Sequence, residues 1–231
     1  MSGPIKNVAV LVEGQTEERF IKDVFARDFS NYQIYFYPII LTTKRIKDGP
    51  DFKGGGVSFG KFKNDLMRLL RTPHFNCVTT LFDYYALSVD FPGMDSRPRG
   101  TGIQRVEHVE KEVKSSFSSF ENFLPFFALH EFEAWLYSDH KILPGRMNKR
   151  GIGSTEKFEE ICKKFSMHEK SPEDINERAD CTPSKRILNL FPEYRKTLHG
   201  PIIINDIGIN TVRKKCPHFN DWVAKLESLK S

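Results

Sequence analysis

Residues 7–20 of the chain, NVAVLVEGQTEERF, decide the fold. The run at residues 7–12 is apolar and rich in β-branched valine, which is typical of a strand buried on both faces of a parallel sheet. Residues 16–29 then repeat apolar side chains at helical spacing. Glu13 and Gly14 lie at the junction, where glycine permits a close strand-to-helix turn. A strand that feeds directly into a helix is the first half of a βαβ unit.

The same alternation continues to about residue 144. Further strands are predicted at residues 33–41, 77–82 and 123–129, and helices at about residues 59–70 and 102–117. Pro38 interrupts the second strand, which indicates an edge position or a bend. The pattern predicts an α/β fold: a parallel sheet of about four strands flanked by helices over residues 1–144. Residues 145–231 are helical and polar in pattern, and we expect them to pack beside the sheet as a C-terminal helical region.

Composition narrows the class of protein. The chain has 231 residues, 39% of them hydrophobic, a formal net charge of +5 and 20 phenylalanines. This composition is that of a globular protein with an aromatic core, and the mild basic excess is compatible with a polyanionic partner. There is no apolar run of about 20 residues that could span a bilayer, and no signal-peptide pattern at the start. We therefore expect a cytoplasmic protein with reduced cysteines.

Acidic side chains follow three of the predicted strands. Glu13 comes directly after the first, Asp83 after the third, and Glu131 and Glu133 after the fourth. The carboxyl ends of parallel strands meet at one edge of the sheet, where functional groups gather. Carboxylates that converge there repel one another unless a cation neutralises them, and hard oxygen ligands favour Mg²⁺ or Mn²⁺. Solvated loop acids and helix caps are the alternative interpretation.

Two acidic positions have further alternatives. Glu17 lies in the first turn of the helix, where it either complements the helix dipole or joins the metal ligands. Glu131 and Glu133 share one face if residues 130–136, HEFEAWL, are extended. If that segment is already helical, the two carboxylates diverge and only one reaches a metal.

Several motifs together resemble a Toprim-like family of uncharacterised prokaryotic proteins found among defence and mobile-element genes. They are VEGQTE at 12–17, LFDYYAL at 81–87, DFPG at 90–93, HEFEAWL at 130–136, PSKRI at 183–187, YRKTLHG at 194–200 and KCPHFNDW at 215–222. Toprim domains occur in topoisomerases, primases and overcoming-lysogenization-defect nucleases. The resemblance implies that Glu13 is the glutamate after the first strand and Asp83 the first aspartate of an Mg²⁺-binding Asp-x-Asp. Tyr85 stands where the second aspartate belongs, so Asp90, Glu131 or Glu133 supplies the missing carboxylate, or the site holds one ion.

Basic residues offer contacts for phosphates. Arg97 and Arg99 lie in the loop that leaves Asp83, Lys185 and Arg186 lie near a predicted helix start, and Lys196 follows later in the chain. Gly55, Gly60 and Lys61 have P-loop spacing, but Phe62 replaces the hydroxyl residue that contacts Mg²⁺, which excludes an NTPase.

The leading hypothesis is therefore a metal-dependent nuclease. Glu13, Asp83 and Glu131 or Glu133 would hold the ion, with Glu17 as a further ligand, and Lys185 would position the DNA or RNA backbone. The resemblance implies an effector of anti-phage defence, controlled by a separate ATPase, and an oligomer is compatible with it. A catalytically impaired nucleic-acid-binding or regulatory subunit is the second hypothesis, because of Tyr85. A small-molecule phosphohydrolase is the third, and it would need a closed pocket.

Overall fold

The computed structural model describes residues 4–42, 57–147, 152–167, 171–175 and 182–230. Cys181 and the glycines at 54–56 lie outside the described residues, so the structure gives no information on that part of the P-loop-like segment. Cys77, Cys162 and Cys216 are buried free thiols.

A parallel sheet forms the centre of the fold. Its strands β1 (Lys6–Val12), β2 (Ile34–Ile40), β3 (Cys77–Asp83) and β4 (Phe123–Leu124) lie in the order β2-β1-β3-β4. All four run parallel, with Val8 opposite Cys77 and Val12 opposite Leu81. Residues 8–12 are fully buried because β1 is central and covered on both faces, as its continuous apolar run predicts. Pro38 lies on the edge strand β2, where a missing N–H is tolerated.

The fourth predicted strand is wrong in one respect, because it is divided into two short pieces. β4 is followed by β5 (Phe127–Ala128), which pairs with the end of β3. Pro125 cannot donate to a ladder, and the Thr80 side chain replaces the backbone there. Its hydroxyl donates to the Phe126 carbonyl at 2.8 Å and accepts the Phe126 N–H at 2.9 Å. This side-chain bridge holds the segment between β4 and β5 against β3, and β5 then pairs with the carboxyl end of β3.

Helices cover both faces of the sheet. On one face, α1 (Gln15–Phe20) continues through a π-turn (Ile21–Phe25) into α2 (Ala26–Asp28), so the predicted single helix contains one wider turn. On the other face lie α3 (Phe59–Leu70) and α4 (Gly102–Ser115). α4 begins with a capping box in which Thr101 accepts the Gln104 N–H. The α/β class and the flanking helices expected from the sequence are confirmed.

The C-terminal helices complete the core on the α1 face. They are α5 (Ile142–Met147), α6 (Ile152–Met167), α7 (Pro183–Leu190), α8 (Lys196–Ile207), α9 (Ile209–Lys215) and α10 (Pro217–Glu227). Trp222 of α10 stacks between Phe25 at 4.8 Å and Phe126 at 4.4 Å between ring centroids. Its indole N–H donates to Thr79 Oγ1 of β3 at 2.9 Å. This packing fixes the C-terminal helices against the sheet, and α8 then begins beside the carboxyl ends of β1 and β3.

Candidate acidic site

Two carboxylates meet where β1 and β3 end. Glu13 is the first residue after β1, and its backbone N–H still donates to the Leu81 carbonyl at 3.3 Å. Asp83 is the last residue of β3. The Asp83 N–H in turn donates to Glu13 Oε2 at 3.4 Å. Because β1 and β3 are hydrogen-bonded neighbours, the two acids lie together at one sheet edge, as the sequence predicts.

Glu17 joins them from the first turn of α1. Its side chain is buried, with 4% of the residue exposed. Oε2 accepts the Gly14 N–H at 3.1 Å, which satisfies a free donor at the start of the helix. Oε1 faces the site, 3.8 Å from the Lys196 ammonium. Glu17 therefore combines the two roles that the sequence left open: it caps the helix with one oxygen and contributes charge to the site with the other.

Glu131 and Glu133 diverge, as expected for a helical segment. The chain turns sharply at His130, which has a positive φ of 69°, and enters a 3₁₀ helix at Phe132–Ser138. Glu131 Oε2 accepts the Ser184 N–H at 2.9 Å and so caps the first turn of α7. Glu133 is fully buried and lies 3.2 Å from the Lys196 ammonium. Of these two residues, Glu133 is the one that contacts Lys196 directly.

Lys196 lies at the centre of this group, a position that the sequence analysis did not anticipate. It is the first residue of α8. Its Nζ lies 2.8 Å from Asp83 Oδ2, 3.2 Å from Glu133 Oε2 and 3.8 Å from Glu17 Oε1. We define Glu13, Glu17, Asp83, Glu133 and Lys196 as the acidic site.

Three of the carboxylates are held in the same manner. In each, one oxygen accepts a hydrogen bond from the protein scaffold and the other faces the Lys196 ammonium. The scaffold donors are the Gly14 N–H to Glu17, the Phe132 N–H to Asp83 Oδ1 at 2.8 Å, and the Tyr194 hydroxyl to Glu133 Oε1 at 3.3 Å. Glu133 Oε2 is buried and has no hydrogen-bond partner among the described residues, and it forms an ion pair with Lys196. The inward oxygens are thus fixed in direction by donors outside the site.

The site holds more negative charge than one ammonium neutralises. Burial and the charge of Asp83 raise the pKa of Glu13 from 4.5 to about 7, and they raise the pKa of Glu17 to about 7 in the same way. Burial also raises the pKa of Glu133 to about 7, against the opposing effect of Lys196. Burial by itself lowers the pKa of Lys196, but Asp83, Glu133 and Glu17 outweigh it and hold that pKa well above its usual range. The ammonium therefore stays charged, and Glu13, Glu17 and Glu133 compete for protons near neutral pH.

The remaining predicted acids serve the scaffold. Asp90 accepts the Phe59 N–H at 3.0 Å and so caps α3, which removes it as the replacement for the missing aspartate. Tyr85 has 42% of its surface exposed, and its ring lies 4.9 Å from that of His130. Neither Asp90 nor Tyr85 therefore takes the place of the second aspartate of an Asp-x-Asp motif. A cation, Lys196, lies among the acids.

Lys196 lies within the acidic site, whereas the other predicted basic residues, Arg97, Arg99, Lys185 and Arg186, lie outside it. Arg97 in the loop after β3 donates to the Met94 carbonyl at 2.8 Å and to the Tyr84 hydroxyl at 3.3 Å. Arg99 is exposed in the same loop. Lys185 and Arg186 lie in the first turn of α7, next to the Ser184 amide that binds Glu131. Arg97 and Arg99 thus lie on the loop that follows Asp83, and Lys185 and Arg186 lie on the helix that binds Glu131.

The donor set of the site suits a hard divalent cation. All four acids offer carboxylate oxygens, which Mg²⁺ and Mn²⁺ prefer. In the described part of the chain, however, no three His, Cys, Asp or Glu side chains form a ready metal cage, since the acids are arranged around an ammonium. An ion could therefore bind only with a rearrangement of Lys196.

Comparison with known proteins identifies the family. An α/β parallel-sheet protein with an acidic site at the carboxyl edge of the sheet is the class that the fold and site define. The chain belongs to the family described as a domain of unknown function, DUF4276, whose model matches residues 12–227. The match includes every residue of the acidic site. No curated protein and no solved structure matches the chain. None of the described helices is long and apolar enough to cross a membrane.

Proposed function

We propose that the protein is a metal-dependent nuclease that hydrolyses phosphodiester bonds of DNA or RNA. The observation that carries the proposal is the orientation of three carboxylates, Glu17, Asp83 and Glu133, each with one oxygen bound to the scaffold and the other directed inward. A structural ion pair needs one acid for one lysine. A surplus of oriented acids at the carboxyl edge of a parallel sheet is instead typical of a site that takes a divalent cation.

Glu13, Glu17, Asp83 and Glu133 would hold Mg²⁺ or Mn²⁺. The buried Glu133 Oε2 supports this assignment, because it has no hydrogen-bond donor among the described residues and a cation, the Lys196 ammonium at 3.2 Å, already faces it. When bound, the ion supplies charge neutralisation at a phosphate and lowers the pKa of a water molecule. Glu131 stays a further candidate ligand, because the Ser184 N–H binds its Oε2 in the way that the scaffold binds one oxygen of Glu17 and of Asp83.

The basic residues provide the contacts to the substrate backbone. Arg97 and Arg99 follow Asp83 along the chain, and Lys185 and Arg186 begin the helix that Glu131 caps. Arginine forks and helix-start amides bind phosphate oxygens and position a nucleic acid without reading its sequence. Lys196, released from its acids, could add a further positive charge beside the scissile phosphate.

A Toprim-like relationship and a defence role are part of the proposal. They are supported by the resemblance of the motifs and by the placement of Glu13 and Asp83 after neighbouring parallel strands, the arrangement that the resemblance implies. An effector of anti-phage defence would take its trigger from a separate ATPase, because the P-loop-like segment lacks the hydroxyl residue at Phe62.

The second candidate is a nucleic-acid-binding or regulatory subunit without catalytic activity. Tyr85 in place of an aspartate and Lys196 among the acids favour it, since both reduce the number of sites for ions. The two candidates differ in what they do to a phosphodiester bond, so a cleavage assay distinguishes them.

The test is cleavage of supercoiled plasmid, circular single-stranded DNA and a structured RNA in MnCl₂ or MgCl₂. We expect the wild type to cut at least one substrate and Asp83→Asn to lose about 100-fold or more of that rate, as removal of an electrostatic catalytic group does. Glu193→Gln, at an exposed acid, is the matched control and should keep full activity. Binding of Mn²⁺ without cleavage of any of the three substrates would favour the regulatory subunit instead.

A further inference from the structure

Lys196 occupies the position that a cation shared by Asp83 and Glu133 would take. Its Nζ lies between Asp83 Oδ2 and Glu133 Oε2, at 2.8 and 3.2 Å. Mg²⁺ binds oxygen at about 2.1 Å, and an ion bound to both oxygens would lie in the volume of the ammonium. The two cations would also repel each other strongly in a buried site. Lys196 and a metal therefore cannot share these oxygens.

We propose that Lys196 is a displaceable counter-ion: a divalent cation binds only when the ammonium leaves, so the lysine sets the metal affinity of the site. The inference rests on the proposed function, because it takes the acidic site to be a metal site. It adds a regulatory property, since any condition that draws Lys196 away, such as a phosphate backbone at the rim, would raise the affinity for the ion.

The geometry permits the exchange without refolding. The side chain of Lys196 is 36% exposed, so part of it already reaches solvent although its ammonium contacts the acids. Lysine has a flexible four-carbon stem and can relocate its charge by rotation about single bonds. The carboxylates do not depend on it for orientation, because the Gly14 N–H, the Phe132 N–H and the Tyr194 hydroxyl hold their other oxygens. The inward oxygens would stay in place when the lysine leaves.

The first experiment measures Mn²⁺ affinity by titration calorimetry for the wild type, Lys196→Met and Lys214→Met. Lys214 is an exposed lysine of α9, and its replacement changes the net charge by the same amount. If the ammonium occupies the site nine-tenths of the time, its removal tightens the apparent affinity about tenfold. We expect that gain for Lys196→Met and none for Lys214→Met. Lys196→Arg, which keeps the charge, should bind no more tightly than the wild type.

The second experiment uses the unaltered protein, so it does not depend on the folding of a variant. Lysine acetylation is followed by mass spectrometry with and without Mn²⁺, and Lys196 is compared with Lys214. Displacement predicts that Mn²⁺ increases the labelling of Lys196 severalfold and leaves that of Lys214 unchanged.

The outcomes separate this inference from the proposed function. Equal or weaker Mn²⁺ affinity in Lys196→Met, or unchanged labelling of Lys196 when Mn²⁺ binds the wild type, overturns the displacement and leaves the metal site standing. If neither the wild type nor Lys196→Met binds Mn²⁺, the proposed metal site fails and the displacement fails with it.

Discussion

Replacing Glu13 by glutamine should stabilise the metal-free protein. Burial and the charge of Asp83 raise the pKa of Glu13 from 4.5 to about 7, so the native state resists ionisation of this group. An acid whose native pKa is raised lowers the free energy of unfolding when it ionises. This loss is small below the unfolded pKa and complete above the native pKa. A pKa difference of about 2.5 corresponds to ~3 kcal/mol. The charge of Asp83 also acts on Glu17 and Glu133, so the whole shift does not belong to Glu13 alone. We therefore expect Glu13→Gln to increase the free energy of unfolding by about 1–3 kcal/mol at pH 8.

The assay is thermal unfolding in a chelator at pH 8 and pH 4.5. For a domain of this size, a gain of 1–3 kcal/mol raises Tm by about 2–12 °C. Glu13→Gln should show that increase at pH 8 and little of it at pH 4.5, where Glu13 is protonated in the native state. The exposed Glu193→Gln serves as the control and should change Tm at neither pH. A loss of stability at pH 8, or an equal gain at both pH values, would refute the conclusion that the native state resists ionisation of Glu13.

Three further predictions concern the scaffold around the site. Glu173→Ala removes the buried carboxylate that accepts two backbone N–H groups at the start of α10, and urea unfolding should show a loss of about 2–4 kcal/mol, with a smaller loss for Glu173→Gln. Gly200→Ala places a Cβ 2.9 Å from Phe132 Cε1 and 3.2 Å from Tyr194 Oη, and should cost about 1–3 kcal/mol by thermal unfolding; an unchanged Tm would contradict the tight packing. Burial lowers the pKa of His130 to about 4, so its native state takes up fewer protons than the unfolded chain and stability falls as pH drops from 6.5 to 4. Asparagine tolerates the positive φ of this position and has no titrating group, so His130→Asn should reduce that fall in stability. Equal pH profiles of the wild type and the variant would contradict this prediction.

The sheet and two of its acids follow from local sequence patterns. The apolar run of β1 and its position at the centre of the sheet depend only on burial, and Glu13 and Asp83 follow directly from where β1 and β3 end. Pro38 likewise indicates the edge strand. These features are predictable because each rests on a few adjacent residues.

The centre of the site depends on long-range packing and could not be predicted in the same way. Lys196 reaches Asp83 from a position 113 residues later in the chain, because α8 packs against α1. The divergence of Glu131 and Glu133 depends on the 3₁₀ helix that begins at Phe132, while their spacing fits an extended segment equally well. Pro125 was the local signal for the divided fourth strand, since it lacks the N–H that a continuous strand requires.

The most direct test of the metal site is anomalous diffraction from crystals of the protein equilibrated with MnCl₂. We expect a manganese peak in contact with the inward oxygens of Asp83 and Glu133, with the Lys196 ammonium moved away from both. Crystals in which Mn²⁺ is absent from the acidic site, while Lys196 keeps its contacts with Asp83 and Glu133, would contradict this expectation.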